Sequence, residues 1–312
     1  MFRMQIRSKK KCIWYCSAAV SFLLFLLLNL WCDHLVNMQD AQQMAGRWSE
    51  KKDVAQISCF FSSKAEVTED TIQSFEYSLK NVLQEASITE TSENPSARLW
   101  VDAYSADGKI TLVNGRNTLD ANAIGIGGDF FLFHPLKLIT GSYFSGNDLM
   151  QDYCIIDQDA AWQLFGSNDV VGMTVYIGNV PHIVTGVVRR PQGRMEKAAG
   201  LTSTVVYVSY ETLEAYGTSN GINHYEIVMP NPVDEFAYGK VKEGIGIDEK
   251  NVEIVENSRR YSLPNRIKTI LAFGTRSMNG KAIIYPYWEN LARGYEDIIA
   301  LLTVFMLFLL LY

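Results

Sequence analysis

The sequence of 312 residues is most informative at Asp157-Gln-Asp-Ala-Ala-Trp-Gln-Leu-Phe-Gly166 and in the segments that follow it. A short helix is predicted over residues 157–165, because glycine is common just past a helix C-terminus. Alternating residues in Met173-Thr-Val-Tyr-Ile177, the pair Gly178-Asn179 and a return over residues 183–188 predict a β-hairpin.

Upstream, the pattern predicts a strand, a helix and a hairpin, which together indicate a small α+β layer structure. Residues 54–61 are typical of a strand, and Thr68 with the acidic residues after it predicts a helix start. Residues 99–104 and 110–113 are predicted to pair through a turn at 105–109. Apolar residues at helical spacing predict one buried helix face: Ile72, Phe75, Leu79, Val82, Leu83 and Ala86.

Two uncharged apolar runs flank these elements. The first, residues 12–32, is long enough for a transmembrane helix, which takes about 20 residues. The second, residues 298–312, is still apolar at Tyr312 and predicts an incomplete second transmembrane helix. We expect that the chain either stops against partner helices or is the front part of a longer protein.

The orientation follows from the positive-inside rule. A tail at residues 1–11 carries basic residues and no acidic one, which predicts a cytoplasmic N-terminus. These basic residues are Arg3, Arg7, Lys9, Lys10 and Lys11. A cleaved signal peptide is the alternative, but the first run is longer than a typical signal core and no Ala-x-Ala site follows closely. An uncleaved anchor in the cell membrane is therefore favoured.

The remaining segments are predicted to lie outside the membrane on the far side. Residues 33–53 are predicted to form a stalk, residues 54–285 an extracytoplasmic core domain, and residues 286–297 a juxtamembrane helix. In this last segment Tyr287, Trp288 and Tyr295 suit the lipid headgroup level. Packing at the base of the core domain explains the same aromatic residues equally well.

Charge and cysteine content exclude several function classes. The chain has 28 basic and 34 acidic residues, and without the five of the tail 23 basic residues remain, a net charge of about −11 outside. Nucleic-acid binding is therefore disfavoured. Cys59 and Cys154 lie in strand-like stretches and are interpreted as two buried thiols or, alternatively, as a disulfide. No Cys-x-x-Cys or Cys/His group indicates zinc.

No residue is nominated as catalytic, cofactor-binding or metal-binding, and no substrate-binding residue is identified. The sequence has no P-loop; Asn279-Gly-Lys-Ala282 comes nearest but lacks the upstream glycine and the hydroxyl. Gly125-Ile-Gly-Gly128 resembles a phosphate-binding loop only weakly. The histidines are dispersed along the chain, at His34, His134, His182 and His224. An enzyme is not expected, and ATP, if used, is expected on a separate subunit.

Five blocks follow one another in order and at close spacing. They are Gly128-Asp-Phe-Phe131 with Leu138-Ile-Thr-Gly-Ser-Tyr-Phe144 and Asp148, Tyr153-Cys-Ile-Ile-Asp157, Ala160-Ala-Trp-Gln-Leu-Phe-Gly166, Asp169-Val-Val-Gly-Met-Thr-Val175, and Ile183-Val-Thr-Gly-Val-Val188. Together these blocks resemble the MacB-like periplasmic core domain of FtsX-like ABC transporter permeases. Val170 and Met173 depart from the family pattern, which often has proline and lysine there. The block glycines Gly141, Gly166, Gly172 and Gly186 are interpreted as fold residues, and Phe144, Trp162 and Phe165 as core anchors.

The resemblance implies a fold and a partner. The fold is an α+β core domain with two subdomains, one porter-like and one mostly β, between transmembrane helices. The implied function is that of a type VII ABC permease, a homodimer or heterodimer in the lipid membrane that couples a partner ATPase to export or mechanotransmission. The alternative is a membrane-tethered binding or regulatory module that transports nothing. An extracellular enzyme is a third hypothesis, for which the sequence offers no candidate residue.

Overall fold

The computed structural model describes residues 2–49, 53–89, 98–275 and 281–311, with side chains from Ile13 onward. Four features of the predicted organisation lie outside the described residues. They are the side chains of the basic tail, residues 50–52 of the predicted stalk, the Asn279-Gly280 part of the segment nearest to a P-loop, and Tyr312.

Helices and strands are interspersed along the described chain. The helices are α1 (Phe2–Asn37), α2 (Met44–Trp48), α3 (Glu69–Glu85), α4 (Phe130–Phe133), α5 (Gln158–Phe165), α6 (Arg194–Ala198), α7 (Tyr210–Tyr216), α8 (Phe236–Gly244), α9 (Leu263–Leu271) and α10 (Tyr287–Leu311). The strands are β1 (Val54–Phe61), β2 (Val101–Asn114), β3 (Asn117–Gly128), β4 (Leu138–Gly141), β5 (Tyr153–Asp157), β6 (Thr174–Ile177), β7 (Val180–Val188), β8 (Val205–Ser209), β9 (Thr218–Ser219), β10 (His224–Pro230) and β11 (Val252–Glu256). Short 3-10 turns lie at Asp40–Gln42, Ser63–Ala65 and Asn257–Arg259.

The chain forms two compact units. The sheet unit comprises Asp40–Ser258 with Asn279–Leu291. The helical unit comprises Met1–Gln39, Arg259–Met278 and Ala292–Tyr312. The single helix α10 contributes its first five residues to the sheet unit and the others to the helical unit.

The sheet unit is built on one 11-stranded sheet with the order β11-β1-β10-β2-β3-β8-β5-β7-β4, where β6 pairs with β2 and β7, and β9 with β2. Most pairs are antiparallel, while β3–β8 and β5–β7 are parallel. The α+β prediction is confirmed. The two expected subdomains share this sheet, because the long β2–β3 hairpin joins the β11-β1-β10 side to the β8-β5-β7-β4 side.

Each face of the sheet has its own apolar cluster, because successive strand side chains point to opposite faces. One cluster includes Ile57, Cys59, Tyr225 and Ile227, covered by α3, α5, α7 and α8. The other includes Val101, Ile126, Phe130, Val228 and Trp288, with residues of α2 and α4. We call the second the α4 face.

The locally predicted elements are confirmed where a cap or turn residue marks them. Thr68 precedes α3, and the apolar residues Ile72, Phe75, Leu79 and Leu83 of that helix are buried. Asp157 caps α5 by accepting a hydrogen bond from the Ala160 N–H at 2.8 Å. Gly166 ends α5 with φ +71°, a left-handed conformation that glycine adopts without steric cost. The β6–β7 hairpin turns at Gly178 and Asn179, both with positive φ.

Two sequence predictions are wrong. The turn predicted at residues 105–109 does not form: β2 runs through it, and the hairpin turns instead between Asn114 and Asn117. Gly108 lacks a Cβ, and this absence allows the neighbouring strand to approach closely. A Cβ at this position would lie 2.4 Å from the Thr218 carbonyl oxygen of that strand. Trp162, interpreted as a core anchor, is 55% exposed, whereas Phe144 is buried.

Two helices are long and apolar enough to cross a membrane, Ile13–Asn37 within α1 and Tyr287–Leu311. Beyond α1, the segment predicted as a stalk contains the 3-10 turn and α2. Within the helical unit, the Tyr261 hydroxyl bonds to Gln39 and, at 3.4 Å, to the Ala292 carbonyl oxygen. The Arg260 Nε lies 2.5 Å from a Glu296 carboxylate oxygen. The segment before α9 is thereby tied to the end of α1 and to α10.

The acid Asp102, beside Tyr225 on β10, predicts a pH dependence of stability. Burial, then a hydrogen bond and charge from Glu76, raise the pKa of Asp102 well above its ordinary value. Because the unfolded pKa is about 3.9, folding takes up a proton, and this contribution to the free energy of unfolding falls as pH rises from about 4 through the folded-state pKa.

We therefore expect Asp102→Asn to flatten the decline of stability with rising pH and to be at least as stable as the wild type at neutral pH. Thermal unfolding of the full chain in detergent micelles, followed by intrinsic fluorescence across pH 4–8, measures this. Asp248→Asn, at an exposed carboxyl, controls for loss of one negative charge. Parallel pH profiles for Asp102→Asn and the wild type would contradict the prediction.

Candidate functional site: a buried histidine–carboxylate cluster

Strand β10 presents two titratable side chains on the α4 face. His224 and Glu226 are two residues apart, so they point to the same side of the sheet. The antiparallel register places Glu226 opposite Ser58 and His224 opposite Phe60 of β1. The intervening Tyr225 points to the other face, where it packs against Phe75. The register of β1 and β10 therefore fixes both polar side chains in the interior.

His134 reaches the same point from α4. It directly follows the helix, and its backbone N–H donates to the Phe130 carbonyl oxygen at 2.9 Å. The Arg47 guanidinium donates to the Leu132 carbonyl oxygen at 2.7 Å and the Phe133 carbonyl oxygen at 3.3 Å, so it satisfies the C-terminal carbonyls of α4. These contacts fix the end of the helix from which the imidazole projects.

The three side chains converge within a few ångströms. His134 Nε2 lies 2.6 Å from Glu226 Oε2, and His224 Nε2 lies 3.5 Å from Glu226 Oε1. One ligand atom from each residue lies within 4.8 Å of the others. The side chains of His134, His224 and Glu226 are only 4%, 2% and 2% exposed. We call these three residues the His–Glu cluster.

A second layer of hydrogen bonds orients the cluster. The Ser58 hydroxyl donates to Glu226 Oε1 at 2.6 Å, and the Asn257 side-chain amide donates to Ser58 Oγ at 2.7 Å. On the other side, His224 Nδ1 lies 3.4 Å from Ser105 Oγ. These partners hold the carboxylate and one imidazole in place, while the cluster atoms Nε2 and Oε2 face one another.

Aromatic rings enclose the cluster. Trp288, in the first turn of α10, lies 4.3 Å from the His134 ring and 5.4 Å from the His224 ring, measured between centroids. Phe60 stacks on His224 at 4.9 Å, and Phe130 lies 4.6 Å from His134. Trp288 is buried, which supports packing rather than a headgroup position for this residue. The cluster therefore lies beneath the start of the helix that continues into the second apolar run.

The enclosure changes the acid–base properties of the cluster. Burial lowers the pKa of His134, although the Glu226 charge opposes this shift. Burial also opposes ionisation of Glu226, but the two imidazoles outweigh it and hold the pKa of that carboxyl well below its usual range. The site thus favours the ionised form of Glu226, which is the form in which a carboxylate binds a metal ion.

Sequence reasoning did not find this cluster, because His134 and His224 are far apart along the chain. The one local signal is His224-Tyr-Glu226, which alternates on a strand. The other histidines lie elsewhere: His182 bonds to Thr212 Oγ1 at 3.1 Å and to the Val180 carbonyl oxygen at 3.0 Å, and His34 lies in α1. The weak phosphate-loop candidate at Gly125 to Gly128 lies within β3, hydrogen-bonded to β2. Cys59 and Cys154 are free, buried thiols on β1 and β5.

Removal of the hydroxyl that supports Glu226 has a predictable cost. Ser58→Ala leaves a buried carboxylate without its short hydrogen bond and Asn257 without one acceptor, so we expect the free energy of unfolding to fall by about 1–3 kcal/mol. Denaturant unfolding of the full chain in micelles measures the change. Ser63→Ala, at an exposed serine after the same strand, is the control, with an expected change within about 0.5 kcal/mol. Equal stabilities of the two variants would contradict the assigned role of Ser58.

Comparison with known proteins identifies a family. A family model described as the MacB-like periplasmic core domain matches residues 38–254. The macrolide export ATP-binding/permease protein MacB of Pasteurella multocida is 31% identical over 98 residues, which are 31% of this chain and 14% of that protein. MacB of Neisseria gonorrhoeae is 36% identical over 80 residues, 25% of this chain and 12% of that protein. The matched stretch thus spans less than a fifth of the length of these relatives.

Solved structures with similarity to the chain carry related descriptions. The periplasmic region of MacB from Actinobacillus actinomycetemcomitans is 19% identical with a TM-score of 0.43, over 68% of this chain and 92% of that one. The extracellular domain of the noncanonic ABC-type transporter YknZ from Gram-positive bacteria is 18% identical with a TM-score of 0.41, over 64% of this chain and 99% of that one.

Proposed function

We propose, from the premise that the chain belongs to the family of MacB-like periplasmic core domains, that it is the permease part of an ABC transporter that transmits mechanical work. Its sheet unit is the extracytoplasmic domain, and residues 12–32 and 298–312 are the spans. Residues 33–53 and 286–297 connect the spans to the core domain at 54–285. The basic tail at residues 1–11 places the N-terminus in the cytoplasm.

The observation that carries this proposal is the continuity of α10. The helix starts at Tyr287, buries Trp288 in the core of the sheet unit, and runs unbroken to Leu311 through a run apolar enough to cross a membrane. A continuous helix is stiff, so a displacement of its membrane part reaches Trp288. The segment before β1 is also bonded to the sheet unit, through the side chain of Gln56 on β1. This side chain donates to the Ala41 carbonyl oxygen at 2.6 Å and accepts from the Met44 N–H at 2.9 Å.

The energy source in this proposal is a partner. No P-loop occurs within these 312 residues, and we propose that an ABC ATPase partner binds the ATP. Two permease chains, identical or different, pair in the membrane. Nucleotide binding on the cytoplasmic side moves the spans, and the sheet unit converts this motion into export or a mechanical output.

We expect the full-length protein, crosslinked in native membranes and purified, to bring down an ABC ATPase. Intact-mass measurement of the same sample reports the length of the whole protein and its pairing. Recovery of a cell-wall enzyme or a sensor in place of an ATPase would contradict the proposal and would favour the membrane-tethered regulatory module.

A variant of α10 tests the coupling in the same preparation. Trp288→Ala removes the aromatic anchor, so we expect the ATPase to remain bound while nucleotide-dependent changes in protease sensitivity of the sheet unit are lost. Trp162→Ala, at an exposed tryptophan of α5, is the matched control and is expected to retain those changes. A wild-type response in Trp288→Ala would exclude this helix as the mechanical link.

The helical unit also supports contact with lipid through α9. Leu263, Ile267 and Leu271 recur every four residues and form one exposed apolar stripe, and Phe273, just past the helix, is exposed as well. Since α9 is part of the same compact unit as the two apolar spans, we propose that this stripe lies in the lipid interface at the outer surface. Arg266 and Lys268 on the same helix suit the headgroups.

A photo-crosslinking residue tests this contact. At Leu271, which is 82% exposed, it is expected to label phospholipid in native membranes. At Tyr77, an exposed residue of α3 in the sheet unit, the same group is expected to give no lipid adduct. Equal lipid labelling at the two positions would contradict an interfacial α9.

A further inference from the structure

We propose that the His–Glu cluster binds a divalent transition metal ion, for which Zn²⁺ fits best, and that this ion fastens α4 to β10 beneath Trp288. The ligands are the Nε2 atoms of His134 and His224 and the carboxylate of Glu226. Two imidazoles with one carboxylate are ligands that zinc prefers. This inference is independent of the transport proposal, since it concerns a site inside the sheet unit.

The first argument is that three buried polar atoms converge without partners. Apart from their approach to one another, His134 Nε2, His224 Nε2 and Glu226 Oε2 have no hydrogen-bond partner within the described part of the chain. A buried polar atom left unsatisfied is destabilising, and here three of them face one point. A cation at that point would satisfy all three together.

The second argument is the distance between the ligand atoms. The approach of 2.6 Å between His134 Nε2 and Glu226 Oε2 is too close for two lone pairs unless positive charge lies between or beside them. Zinc bonds of about 2.0–2.2 Å in a tetrahedral arrangement separate ligand atoms by roughly 3.3 Å. The 3.5 Å between His224 Nε2 and Glu226 Oε1 already matches this value. A side-chain shift of well under 1 Å at His134 would adapt the third ligand.

The third argument is the set of hydrogen bonds that orients the ligand side chains. A metal-binding imidazole usually donates its other N–H to an oxygen, and His224 Nδ1 has Ser105 Oγ at 3.4 Å. The carboxylate has the Ser58 hydroxyl, which Asn257 orients in turn. A donation from His224 Nδ1 to Ser105 Oγ would leave the lone pair of His224 Nε2 free for a metal ion. The aromatic rings around the cluster exclude water that would compete for the ligands.

A buried ion pair, with a proton shared between His134 and Glu226, is the competing explanation. It accounts for the 2.6 Å contact but leaves His224 Nε2 without a role. It also predicts no metal affinity. Arg47 does not take the place of the cation, since its guanidinium donates to the Leu132 and Asp40 carbonyl oxygens, each at 2.7 Å.

The test uses the full chain in detergent micelles, stripped of metal by a chelator and then titrated with ZnCl₂. We expect one zinc per chain by elemental analysis and a higher melting temperature with zinc, because binding to the folded state alone stabilises it. In Co²⁺-loaded protein we expect visible d–d absorption bands that the metal-free protein lacks. Glu226→Gln and His134→Asn are expected to weaken binding at least about tenfold, since even outer-layer changes commonly cost that much.

His182→Asn is the matched control, because His182 is equally buried in the sheet unit but lies outside the cluster. It is expected to keep the zinc stoichiometry of the wild type. Circular dichroism identifies a variant that fails to fold. If His134→Asn fails to fold, zinc binding is judged from Glu226→Gln alone, because this substitution keeps the size of the side chain. Absence of zinc from the wild type, or equal zinc in Glu226→Gln and wild type, would overturn the proposal and favour the shared proton.

Discussion

The pairing of β1 with β10, one strand in from the β11 edge of the sheet, is the constraint on which the rest of this structure depends. It places Cys59 opposite Tyr225 and Ile57 opposite Ile227, facing the helices α3 and α8, and it places Ser58 opposite Glu226 on the α4 face. A slip of one residue would move every side chain of a strand to the other face. Glu226 would then lie among apolar side chains, away from Ser58 and the histidines. Large apolar residues such as Tyr225 and Phe61 in one layer and Phe60 in the other therefore hold a single register.

The His–Glu cluster on the α4 face is not expected to add much to the free energy of unfolding. Buried charges lose their hydration, and well-packed apolar residues of similar size are often as stabilising or more so. The interior could have been filled by aromatic rings alone, as the surroundings of Phe130 and Trp288 show. Two imidazoles and a carboxylate at such a place therefore indicate a role beyond packing. Their position below Trp288 connects that role to the helix that enters the second apolar run.

Helices and turns that are marked by a cap or turn residue could be predicted from the sequence. Features that depend on contacts with other strands or helices could not. The helix α3 follows from a capping threonine and a periodic apolar face, and α5 with the β6–β7 hairpin follows from Gly166, Gly178 and Asn179, whose backbone conformations few other residues adopt. The break expected within β2 was wrong because Gly108 serves a close contact between strands rather than a turn. Trp162 is exposed although aromatic, since the buried side of α5 is formed by Ala160, Ala161 and Leu164.

Short-range features of the sequence were enough to predict two long apolar helices, the α+β class and the family, because apolar runs, caps, turns and closely spaced blocks act within short distances along the chain. The tertiary structure alone decided that His134 meets His224 and Glu226. Those residues come from α4 and β10, which are distant in sequence, and only the strand register and the docking of α4 and Trp288 bring them together. Side-chain convergence of this kind is a property of long-range packing, so no local pattern in the sequence encodes it.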